Sequence, residues 1–126
     1  MSGLYTDPME DLPHRLLAAV DRKDMDEFLG FIARDARFRF GSAPPVTGHD
    51  AIRDAVGGFF ASIAGLSHAL KRVVSSGSAL LIEGEVTYTR HDNSEITLPF
   101  VNVLEIEDRL ISDYKIYIDI GPLYAE

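Results

Sequence analysis

Residues Ser78–Leu123 read SALLIEGEVTYTRHDNSEITLPFVNVLEIEDRLISDYKIYIDIGPL, and this stretch decides the fold. Ala79 to Arg90, Glu95 to Ile106 and Leu110 to Ile120 are rich in Val, Ile, Tyr and Leu, the composition of strands. The polar runs His91-Asp92-Asn93-Ser94 and Glu107-Asp108-Arg109 are turns between them. Ser67 to Val74 has the same character and places a further strand ahead of the three. Successive strands joined by short turns make an antiparallel meander.

Upstream the periodicity changes to helical. Leu16, Leu17, Ala19 and Val20 recur at helix spacing, so a helix runs over roughly 11 to 22, with Pro13 in its first turn and Asp11 as its cap. Asp24 followed by Glu27 has capping-box spacing and opens a second helix, whose buried stripe is Phe28, Leu29 and Ile32. Ala36 to Phe40 alternates Arg37 and Arg39 with Phe38 and Phe40, a half-buried strand with its rings inward. Gly41 to Gly48 is a loop by composition. A third helix spans about His49 to Ala64 and stops at Gly65. Helices first and strands afterwards predict an α+β fold, three helices packed on a curved antiparallel sheet.

At 126 residues and 46% apolar content the chain is one domain with a real core, residues 9–126, led by a flexible segment 1–8. The net charge of −8 argues against nucleic acid or an anionic membrane as partner, since neutralising phosphates takes Lys and Arg. Absence of cysteine excludes disulfides, thiolate metal sites and a cysteine nucleophile. Met1 to Pro8 has no apolar signal core, and a cytoplasmic home is the default expectation. His14, His49, His68 and His91 show no metal-ligand spacing and no accompanying carboxylate–His cluster. No glycine-rich phosphate loop is present, so neither a metal nor a nucleotide cofactor is expected.

Asp35-Ala36, the run Pro44-Pro45-Val46-Thr47-Gly48-His49-Asp50-Ala51-Ile52, and Leu98 through Leu123 resemble the nuclear transport factor 2-like, or SnoaL-like, superfamily. That resemblance implies a sheet curled into a cone, with a pocket between its concave face and the helices. Thr97 to Asp119 is similar to limonene epoxide hydrolases without a gap. The water-positioning Tyr and Asn of that family fall on Phe38 and Phe40. Its Arg-x-Asp pair, after a Glu matching Glu83, falls on Gly84 and Val86, and its remaining Asp on Ile116. Hydrolysis of that kind needs an ionised base beside an acid, so this activity is not expected. Set against ketosteroid isomerases, the general-base Asp falls near Phe40, the helix-borne Tyr on Leu16 and the protonated Asp on Asn102. An Asn amide donates at every pH and still polarises a carbonyl.

If this alignment sets the faces, Tyr114, Ile116 and Ile118 point into the cone beside Gly84, Val86 and Tyr88. Lys115, Tyr117 and Asp119 then point away, as do Glu83 and Glu85. The expected ligand is a small apolar carbonyl compound (steroid, terpenoid or polyketide-like), walled by Phe38, Phe40, Leu16, Val86, Ile116 and Ile118 and oriented by Asn102, Tyr88 and Tyr114. Tyr88, Tyr114, His68 and Asp119 are the candidates for catalysis. Two classes stay open: a binding protein without chemistry, and an isomerase, cyclase or dehydratase using Tyr or His with Asn102 as oxyanion donor. The outer sheet face, carrying Arg37, Arg39, Glu83, Glu85, Lys115, Tyr117 and Asp119, is expected to form a homodimer.

Overall fold

The computed structural model describes residues 11–125; the segment 1–8 lies outside the described residues. In chain order the elements are α1 (Leu12–Asp21), α2 (Met25–Gly30), β1 (Ile32–Phe40), β2 (Val46–Thr47), α3 (His49–Ala61), β3 (Gly65–Ser76), β4 (Ala79–Thr89), β5 (Glu95–Glu107), β6 (Leu110–Tyr117) and α4 (Gly121–Tyr124). One six-stranded sheet has the order β2-β1-β6-β5-β4-β3. The α+β architecture is the expected one, with two differences. β1 pairs with β6 in parallel, so the sheet is mixed. A parallel neighbour needs a long crossover, and here α3 and the whole meander supply it. The fourth helix is the short turn after β6, where a strand to Ile120 was expected.

Local chemistry explains the boundaries. Asp24 accepts the Glu27 amide at 3.1 Å, the first half of a capping box. Asp11 occupies the cap of α1 without capping it, because its backbone is already helical and its carboxylate is turned from the amides. Ile32 leaves the helical stripe to begin β1, where it is buried. α3 closes at Ala61 because Ser62 donates to the Phe59 carbonyl at 2.7 Å. The Ala64 amide is then captured by the Thr89 carbonyl, so Gly65 begins β3 rather than ending the helix. Asp108 and Arg109, both with positive φ, make the two-residue hairpin between β5 and β6.

The curvature that opens a hollow has a physical source in β3. Its register with β4 slips between Leu70 and Arg72, a bulge that bends the strand. Opposite Leu70 stands Gly84, where a Cβ would lie 2.2 Å from the Ala69 carbonyl oxygen. Only glycine lets the two backbones approach so closely. Beneath the helices the concave face is filled by Leu16, Phe28, Ile52, Ile82, Leu104, Ile111 and their neighbours, all nearly or fully buried. Lys23, in the turn between α1 and α2, donates to the carbonyls of Phe60 (2.9 Å), Ile63 (2.7 Å) and Ala64 (3.3 Å), tying that turn to the end of α3. No helix among the described residues is long and apolar enough to cross a membrane.

Candidate functional site

Pairing registers fix which side chains share the concave face. Phe38 pairs with Tyr114 and Phe40 with Ile116 across β1 and β6, Ile116 with Asn102 across to β5, and Val86 with His68 across β4 and β3. These residues therefore look into one hollow, a cavity of about 220 Å³ between the sheet and the helices. Phe38, Phe40, Val86, Ile116 and Ile118 are on its wall, as are Tyr88, Tyr114, Asn102 and His68. Leu16 is not. It is fully buried in the core one position from Leu17, which does reach the cavity together with Val20. One residue along a helix is a rotation of about 100°, enough to turn Leu16 from the hollow. Asp119 is also off the wall; its Oδ1 accepts the Gly121 amide at 2.9 Å and opens α4.

Alternation sends the carboxylates of β4 outward. Glu83 meets Arg72 at 3.0 Å and Glu85 meets Lys71 at 3.5 Å, all four partly exposed. No Asp, Glu, Lys or Arg lines the cavity among the described residues. Val86, Phe38, Phe40 and Ile116 present only hydrocarbon to the hollow.

The polar groups that do face the hollow are few and distinct. Asn102 is the one buried polar residue among those described, 2% exposed, and its Oδ1 has no hydrogen-bond partner. Burial raises the Tyr88 and Tyr114 phenols well above their ordinary range; Tyr124 adds to the first shift and Tyr88 to the second. Both hydroxyls thus stay protonated and neutral at any physiological pH. The two rings belong to an aromatic wall in which Tyr114 lies 5.3 Å from Phe38, and Tyr88 meets Phe59 edge-on at 5.5 Å.

His68 departs from the expectation of an unaccompanied imidazole. Its Nδ1 lies 2.5 Å from Asp21 Oδ1, and its backbone N–H donates to Asp21 Oδ2 at 3.0 Å. An ionised carboxylate only accepts, so Nδ1 carries the proton of this bond and Nε2 is the ring nitrogen left free of it. The His68 side chain is 10% exposed, on the cavity wall, with Phe100 edge-on at 5.1 Å. Asp21 was missed in the sequence because 47 positions separate it from His68. One local signal was present. Asp21 is the last residue of α1, where the helix dipole disfavours an anion, so its carboxylate is there for something other than the helix. Of the remaining described histidines, His49 Nε2 bonds to the Ile32 carbonyl and His91 Nε2 to the Ala61 carbonyl, while His14 is exposed on α1.

Residues 14–114 match the family model of the SnoaL-like domain. No curated protein sequence matches the chain. Among solved structures it is similar to a nuclear transport factor 2-like protein of unknown function from Burkholderia pseudomallei. That pair shares 19% identity and a TM-score of 0.84, over 94% of this chain and 95% of that one. The protein TerC, co-crystallised with polyporic acid, superposes with TM-score 0.82 at 16% identity, over 94% of this chain and 96% of that one. An epoxide hydrolase of M. tuberculosis, like the limonene enzymes, gives 0.73 at 17% identity, covering 86% and 80%. Likeness at such identities is likeness of fold.

Proposed function

Since the chain belongs to the SnoaL-like domain family, we propose that it moves protons on a small, apolar carbonyl compound, as an isomerase, cyclase or dehydratase. The observation that carries this reading is the Asp21–His68 pair on the wall of an otherwise hydrocarbon cavity. Nε2 of the neutral His68 ring takes a proton from the carbon beside the carbonyl. The C–H electron pair passes into the C–C bond, and the carbonyl π pair moves to oxygen. Asp21, hydrogen-bonded to Nδ1–H, holds the ring orientation and stabilises the imidazolium that forms. The developing oxyanion needs donors that stay put, and the un-ionised Tyr88 and Tyr114 phenols supply neutral ones. Return of the proton to another carbon isomerises the ligand; delivery to a departing hydroxyl dehydrates it. The apolar wall also supports a second reading, a carrier that binds and does nothing more.

Exchange of α-protons for deuterium in uncharged cyclic ketones, followed by NMR, separates the two. The wild-type protein should accelerate exchange, His68→Asn should abolish it, and Asp21→Asn should slow it by about 10²–10⁴-fold. Equal exchange in wild type and His68→Asn, with ketone binding intact and both proteins folded, would leave the carrier reading standing.

A further inference from the structure

Resting on the proton-transfer reading, we infer that the cavity selects an uncharged, flat, two-ring compound carrying one oxygen function at each end. Three observations converge on this class. The first is volume. A cavity of about 150 Å³ takes one benzene ring, and this one is about 220 Å³. Drug-sized ligands occupy pockets of roughly 300–1,000 Å³. Two fused rings fit inside it; the four rings of a steroid would extend past it.

The second is charge. Without a cation or carboxylate on the wall, a charged ligand would lose its hydration with no countercharge in return. Eight of the nineteen lining residues are Phe or Tyr, a surface that favours flat π-systems through edge and offset contacts.

The third is the separation of the polar groups. His68 sits opposite Val86 and, through it, Leu98 on β5. Asn102 lies four residues further along β5, two strands away from β3. On a flat sheet that is about 16 Å between Cα atoms, at roughly 4.8 Å per strand and 3.3 Å per residue. The inward side chains shorten that gap: the His68 ring already lies 5.1 Å from Phe100, which stands two residues, about 6.6 Å along β5, from Asn102. A one-oxygen ligand reaches one pole. A ligand with oxygens at both ends of a two-ring frame reaches both, and a hydroxyl at the far end donates to the unpartnered Asn102 Oδ1.

Calorimetric titration with four probes tests the class. 6-Hydroxy-2-tetralone has two rings and an oxygen at each end; 2-tetralone lacks the second oxygen. 6-Hydroxy-2-naphthoate adds a charge, and estrone adds two rings. Hydroxytetralone should bind at least tenfold tighter than 2-tetralone and a hundredfold tighter than the naphthoate, with no estrone binding. Asn102→Leu should erase the tenfold advantage of the second oxygen. Estrone or naphthoate binding as tightly as hydroxytetralone, or no hydroxytetralone binding, overturns the inference. The two readings fail separately: tight hydroxytetralone binding without α-proton exchange sinks proton transfer and keeps the ligand class. His68-dependent exchange on ketones of every size does the reverse.

Discussion

Replacing Asn102 by Leu should make the protein more stable. Asn102 is 2% exposed and its amide oxygen has no hydrogen-bond partner. A buried carbonyl left unpaired costs about 1–3 kcal/mol. Leu removes that cost and adds hydrocarbon beside Ile82 and Ile116, its partners in register on β4 and β6. Water reaching the amide from the cavity holds the gain to the lower part of the range, so about 1–2 kcal/mol is expected. For a domain of this size that raises the melting temperature by about 3–8 °C. Thermal and urea melts of the two proteins, followed by circular dichroism, read the difference. The urea slope should be unchanged, because the surface exposed on unfolding is the same. A variant less stable than wild type by 1 kcal/mol or more would show that Asn102 holds the sheet together, and would refute the reasoning that its amide awaits a ligand. Gain of stability with loss of ligand affinity is the signature of a functional polar group.

Two further outcomes follow from the same geometry. Gly84→Ala places a Cβ 2.2 Å from the Ala69 carbonyl oxygen, so β3 must shift. A loss of about 1–3 kcal/mol in a urea melt is expected, with ketone exchange falling because His68 is adjacent to Ala69; a change within 0.5 kcal/mol would show that the bulge yields freely. At alkaline pH the folded state keeps the Tyr88 and Tyr114 phenols protonated while the unfolded chain releases those protons near pH 10. Stability is therefore fully present below about pH 10 and declines as pH rises above it. In an absorbance titration these two phenolates should appear late, and Tyr88→Phe or Tyr114→Phe should each delete one late step.

Much of the scaffold was legible because it depends on short-range patterns. Glu83, Glu85 and their neighbours Ile82, Gly84 and Val86 alternate, and β4 has the matching burial pattern. Asp24 and Glu27 announced α2 through a contact three residues long. What the pattern could not supply was pairing between distant strands. Ile32 fits a helical stripe equally well, and only its place beside Ile111 of β6 makes it a strand residue. The same limit hid one member of the candidate site. Asn102, Tyr88 and Tyr114 were legible as polar groups for the cone and His68 as a titratable residue in a strand, whereas Asp21 acquires meaning only when α1 is laid across β3. The rotation of α1 that swaps Leu17 for Leu16 on the wall is likewise set by tertiary packing.

The turn after α1 spends three consecutive charges on three different tasks. Asp21 grips His68, Arg22 pairs with Glu27 at 2.6 Å, and Lys23 holds the last carbonyls around α3 from a left-handed backbone. The Asp21–His68 pair therefore shares its anchorage with the joint that fastens three helices. A substitution at any of the three positions thus falls where the placement of α1, of α3 and of the His68 ring is decided within three residues.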